Sequence, residues 1–137
     1  MTTTEHTGPR MVGGQWIRDN DDRTALKITR CARCDSTWFP PRDVCSSCAS
    51  TEVEDTLSAT QGVAYASTVV RIGPPAFQPP YVLAYVDVSG VRVLAHVDAD
   101  EALAPGTPVA LRVGPIGTDS DGEFSSYLVA ETQGGAR

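Results

Sequence analysis

The sequence predicts a mostly β chain in two parts: a four-cysteine ribbon near the N-terminus, then a five-stranded barrel. Three observations predict it. All four cysteines lie between Cys31 and Cys48, in two Cys-x-x-Cys pairs. From Gln61 onward, short runs rich in β-branched residues alternate with Gly, Pro, Ser and Asp turn signals. A short helix-like segment falls between the third and fourth of these runs, which is the element order of an OB-fold.

Residues 1–24 are polar, with Gly13–Gly14 and a charged run from Arg18 to Arg23, and read as a flexible arm. Trp16, beside Ile17, is the exception: it either folds back on its own domain or docks on a partner, and is a candidate partner-binding residue. Residues 25–57 form the ribbon, in which LKIT leads into Cys31, TWF follows the first cysteine pair and VEDTL follows the second. Residues 58–131 form the barrel. Its first strand is VAYASTVVRI, followed by a proline-rich loop at 73–80. Phe77 sits there between two proline pairs that stiffen the loop, which makes it a second candidate anchor for a partner, or else a plug over the barrel end. YVLAYVDV and VRVLAHV are joined by Ser89–Gly90, a pair suited to a tight hairpin. In the latter run Val91, Val93, Ala95 and Val97 share one face, and Arg92, Leu94 and His96 the other. Residues 98–106 read as a helical turn or two, capped by Asp98 or Asp100, anchored by Leu103 and stopped by Pro105–Gly106. Val109–Val113 and Ser125–Glu131 complete the barrel, with a turn near Asp121–Gly122, and 132–137 is a frayed tail.

The cysteines carry the clearest chemistry. A Cys-x-x-Cys turn points two sulfurs at one centre, and two such turns fill the tetrahedral shell of a zinc ion. Cys31, Cys34, Cys45 and Cys48 are therefore the expected ligands of a structural zinc; iron is the alternative for the same thiolates. Disulfides are disfavoured in a chain without an export signal. A thioredoxin-like dithiol needs a single pair at a helix start. A catalytic zinc keeps one position open, and four cysteines leave none. Such turns want a left-handed residue after the second cysteine, where this chain has Asp35 and Ala49 in place of glycine. Ala49 is the poorer fit, so the second turn is expected to be distorted.

Composition narrows the function. The 137 residues are 41% hydrophobic with a net charge of −6. The N-terminus has no apolar run resembling a signal peptide, and nothing approaches the roughly 18 apolar residues of a membrane span, so a soluble cytoplasmic location is expected. Lys27 is the only lysine, and the ten arginines are scattered. Lys27, Arg30, Arg33 and Arg42 against Asp35 and Asp43 give residues 27–43 a charge of +2, which the formal −2 of four thiolates around a zinc ion nearly cancels. Neither part is a basic clamp for nucleic acid. The barrel does carry Tyr65, Tyr81, Tyr85, Phe124 and Tyr127, so a single-stranded nucleic-acid-binding OB-fold stands as the alternative reading, with only Arg71, Arg92 and Arg112 as cations. No GxSxG, HExxH, P-loop or GxGxxG motif is present, and no free thiol remains. His6 lies in the arm, and His96 reads as a packed or solvent-facing strand residue. No catalytic constellation emerges.

The run CARCDSTWFPPRDVCSSCAS resembles the family known as domain of unknown function 35, with the aromatic–Pro–Pro–Arg segment at Phe39, Pro40, Pro41 and Arg42. GVAYASTVVR, PPYVLAYVDV and VRVLAHV resemble its OB half, so the likeness covers roughly residues 26–131. Asp35, Ala49 and a short polar arm, where relatives often carry a helix, depart from the pattern. The resemblance implies a rubredoxin-like zinc ribbon and an OB-fold. It also implies a non-catalytic companion that stabilises a thiolase-fold enzyme (thiolase, acyltransferase or retro-aldolase) and helps enclose its acyl-CoA at the shared interface. Lipid, steroid or aromatic metabolism is the setting such companions imply.

Overall fold

The computed structural model describes residues 10–20 and 23–132. His6, the first nine residues of the expected arm and the tail beyond Thr132 lie outside them. The first sheet is built on β3 (Arg23–Cys31), which pairs antiparallel with β2 (Ile17–Asn20), β4 (Thr37–Trp38) and β5 (Val53–Leu57). β3 is covered on both faces, with Thr24, Ala25, Leu26, Ile28, Thr29 and Cys31 all buried.

The second sheet closes on itself. β6 (Gln61–Val70), β7 (Tyr81–Val88) and β8 (Val91–Val97) pair antiparallel in sequence order. β8 then meets β10 (Gly122–Glu131) in parallel, β10 pairs with β9 (Pro108–Asp119), and β9 returns to β6. The result is the expected five-stranded barrel, and closure removes the exposed sheet edges. The alternation expected in β8 is present, with Val91, Val93, Ala95 and Val97 inside and Arg92 and Leu94 exposed. At Ser89–Gly90 both residues have positive φ, 50° and 83°, the hairpin turn whose twist matches its strands. β6 bulges at Tyr65, where the partner of Ala64 is Val86 and that of Ala66 is Tyr85.

Ribbon and barrel share one core. Leu26 and Ile28 of β3 belong to the same buried cluster as Val86, Val88, Val91 and Val93 of the barrel. The junction is hydrogen-bonded throughout: Leu26 N donates to Ser58 Oγ at 3.0 Å and Ser58 N to Leu26 O at 2.8 Å. Ala59 N then donates to Ser89 Oγ at 2.7 Å. The β7–β8 turn abuts the ribbon so closely that a Cβ on Gly90 would lie 2.8 Å from Thr37 Oγ1.

Three expectations are corrected. Residues 10–20, read as part of a flexible arm, are paired. β1 (Arg10–Met11) runs parallel to β10, and a short 3-10 turn over Gly14–Trp16 leads into β2. Arg10 holds the segment down, donating to Asp119 Oδ1 at 2.6 Å and to Gly122 O at 2.5 Å. Residues 98–106 are bends and a turn rather than a helix. Their donors go elsewhere: Asp98 N to Val129 O and Leu103 N to Ser67 Oγ, and the Asp98 carboxylate pairs with Arg112 instead of capping. β9 runs through Gly114-Pro115-Ile116-Gly117, which punctuates the sequence like a loop; Pro115 sits where the ladder shifts register, so its missing N–H leaves no gap.

Leu26→Ala removes a fully buried side chain at this junction and is expected to cost about 2–5 kcal/mol. Chemical denaturation followed by fluorescence and by far-UV circular dichroism should give one shared transition at lower denaturant. Two separated transitions in the wild-type chain would show independent cores.

Candidate functional site

The two Cys-x-x-Cys turns are built alike. Cys31 N donates to Ser36 O at 2.9 Å, and Asp35 N donates to Cys31 O at 2.9 Å. In the second turn Cys45 N donates to Ser50 O at 2.9 Å and Ala49 N to Cys45 O at 2.8 Å. Asp35 and Ala49 both take the left-handed conformation, φ 65° and 63°. The expected distortion at Ala49 is therefore absent: the shared hydrogen bonds hold alanine in the glycine-like geometry, against a cost of about 1–2 kcal/mol.

These turns bring four sulfurs to one point. All lie within 4.8 Å of one another, with Cys31–Cys48 at 3.7 Å and Cys34–Cys45 at 3.6 Å. Thiolates about 2.3 Å from one tetrahedral ion stand about 3.8 Å apart, so the cluster fits a tetrahedral metal-binding site. Cys31 and Cys45 are buried, and Cys34 and Cys48 face solvent. Ser47 N points at Cys45 Sγ from 3.3 Å, an N–H that favours the thiolate. Burial raises Cys45, but N–H groups of Cys48 and Ser47 and the neighbouring sulfurs outweigh it and bring it down to about 6. For Cys48 the Ser50 backbone lowers the thiol, while burial and the sulfurs of Cys31, Cys34 and Cys45 push it up to about 12. Four such groups cannot all ionise together without a cation between them.

Arg42 explains the aromatic–Pro–Pro–Arg segment. Its backbone N–H donates to Thr29 Oγ1 at 2.9 Å, its side chain reaches Ser46 Oγ at 3.0 Å, and its guanidinium lies 5.0 Å over Trp38. It thus ties β3 to the second turn. Phe39, in the same segment, packs edge-on between Trp16 at 5.9 Å and Tyr127 at 6.0 Å. Of the two candidate partner residues, Trp16 is thus half-buried against its own chain. Phe77 is half-buried too, against His96 at 4.9 Å, Tyr81 at 5.5 Å and Phe124 at 6.1 Å. Burial pushes His96 below the usual imidazole range. Trp16 and Phe77 both line a groove of about 370 Å³ on the outer face of the barrel. Sequence reasoning missed this groove; the signal was Leu94, a large apolar residue on the face opposite the valines.

A family model described as "ChsH2, rubredoxin-like zinc ribbon domain" matches residues 22–54, and one described as "ChsH2, C-terminal OB-fold domain" matches residues 55–114. A DUF35 domain-containing scaffold protein of Methanocaldococcus jannaschii is 33% identical over 92 residues, 64% of each chain. The benzoylsuccinyl-CoA thiolase subunit BbsA of Geobacter metallireducens is 31% identical over 98 residues, 70% of this chain and 66% of that one. The chain thus spans slightly under two thirds of these curated relatives. Among solved structures, an Ltp2-ChsH2(DUF35) aldolase chain superimposes with a TM-score of 0.60 at 28% identity, over 78% of this chain and 84% of that one.

Two substitutions separate ligand chemistry from backbone strain. Cys45→Ser should abolish stoichiometric metal by elemental analysis. Ala49→Gly should keep the metal and raise stability by about 1 kcal/mol in denaturant unfolding. Unchanged metal content in the serine variant would contradict the assigned ligands.

Proposed function

The chain belongs to the family that joins a ChsH2-type rubredoxin-like zinc ribbon to an OB-fold domain, and from that premise we propose that it is a non-catalytic accessory subunit of a thiolase-fold enzyme acting on acyl-CoA. Residues 25–57 act as the ribbon and 58–131 as the barrel. The ion held by Cys31, Cys34, Cys45 and Cys48 is zinc, and its role is structural: four thiolates leave no position for substrate or water. The chain works in the cytoplasm, binds and stabilises its partner, and helps enclose the acyl-CoA at the shared interface.

The observation that carries this reading is the combination of relatives: a scaffold protein, a subunit of a CoA thiolase, and a chain solved as part of an aldolase. Residue chemistry supports it. Every cysteine belongs to the metal site, and His96 is packed between Phe77 and Tyr81 with burial disfavouring its charged form. A nucleic-acid role is poorly supported, since Arg92 is bound by Asp87 and Arg112 by Asp98. Among the described residues no helix is long and apolar enough to cross a membrane.

Affinity purification of the tagged chain from its native host, followed by mass spectrometry and an absorbance ratio at 260 and 280 nm, tests the reading. A thiolase-fold subunit should co-purify without nucleic acid, and the isolated chain should neither cleave nor condense acyl-CoA. Turnover by the chain alone, or bound nucleic acid in place of a thiolase-fold protein, would overturn it.

A further inference from the structure

Two open grooves lie side by side on the outer face of β7 and β8 and share Leu83 and Leu94. The first, about 370 Å³, runs between Trp16 and Phe77 past Tyr127. The second, about 360 Å³, continues across Ala66, Thr68 and Tyr85. No Lys, Arg, Asp or Glu lines either groove, although 20% of the chain is charged. Leu94 and Tyr85 are nevertheless 48% and 49% exposed.

Ion pairs stand at two borders of this face. Arg92 donates to both oxygens of Asp87, at 2.6 and 3.0 Å, and lies 3.4 Å over the Tyr65 ring. Arg112 pairs with Asp98 at 3.1 Å. Three of the hydroxyls lining the grooves are also engaged within the chain. Ser67 donates to Leu83 O, Ser126 to Val12 O and Tyr127 to Leu94 O, at 3.0, 2.7 and 2.8 Å. Beside the His96 imidazole and the hydroxyls of Thr68, Tyr81 and Tyr85, what the grooves offer a visitor is shape and apolar surface.

We propose that this face is where the thiolase-fold subunit docks, setting an uncharged cluster of apolar side chains into the two grooves on either side of Leu94. The proposal rests on the accessory-subunit reading above and names its contact surface. Interface centres are depleted in charge and rich in aromatics, which is the composition here. A nucleic acid needs cations to displace its counterions, and the two bordering arginines are already paired. An acyl chain needs a cavity that encloses most of its surface, and these grooves are open. Trp16 and Phe77 act as groove walls in this arrangement, held by Phe39 and by Tyr81, rather than as protruding anchors.

The test uses the full chain and the thiolase-fold subunit that it captures. Leu94→Glu places a charge in the shared floor of the grooves. Ile72→Glu places one at a site that is 95% exposed and lines neither groove. With melting temperatures matched to the wild type, Leu94→Glu should bind at least about tenfold more weakly by calorimetry, and Ile72→Glu should bind normally. Wild-type affinity should change less than about threefold between about 0.05 and 0.5 M salt, because the contact carries no charge. Normal binding by Leu94→Glu, or a steep salt dependence, overturns this face while the accessory role stands. A wild-type chain that captures no thiolase-fold subunit, or that binds oligothymidine through Leu94, overturns both.

Discussion

Four sulfurs held within 4.8 Å of one another are the constraint on which the rest of the molecule depends. Uncharged thiols have no reason to crowd together, and thiolates repel; only a cation makes the cluster favourable. An ion bound there would stabilise more than the two turns that hold it. Cys31 is the last residue of β3, and five residues earlier on the same strand Leu26 enters the barrel core. Fixing one end of β3 at the metal therefore fixes the position of the apolar side chains at the other. A sheet whose other strands, β2, β4 and β5, are only four, two and five residues long would otherwise have little apolar surface to hold it.

The same placement shapes the outer surface. Phe39 belongs to the segment between the cysteine pairs, yet it stands between Trp16 and Tyr127 at the margin of the groove. The ribbon thus contributes to the barrel's face through edge-on aromatic contacts, and the N-terminal segment lines the groove through Val12 and Trp16. Metal site, shared core and outer face form a connected series of contacts. A ribbon that lost its ion would disturb the face without any ligand of the ion lying on it.

Much of this was legible in the sequence where local chemistry decides the structure. The cysteine spacing, the need for left-handed residues at 35 and 49, the Ser89–Gly90 turn and the alternation in VRVLAHV all appear as read. What was not legible depends on contacts distant along the chain. β1 is two residues long and is held by Arg10 against Asp119, a pairing across 109 positions that no local pattern announces. The segment 98–106 has helix-compatible residues, but its donors find barrel acceptors first. Propensity speaks against Ala49 and predicts a distortion there; the two main-chain hydrogen bonds that close its own turn, Cys45 N to Ser50 O and Ala49 N to Cys45 O, override that preference. Local sequence cannot decide between anchor and plug at Phe77, because its burial is set by Tyr81, His96 and Phe124, which come from three other points of the chain.

Hydrogen exchange measured by mass spectrometry, with the metal bound and after its removal by a chelator, tests the central claim most directly. The account predicts that metal removal exposes the amides of β3, β4 and β5 and also lowers protection in β7 and β8, whose core side chains meet Leu26 and Ile28. Unchanged protection in β3 without metal, or loss confined to the ribbon while β7 and β8 stay fully protected, would contradict it.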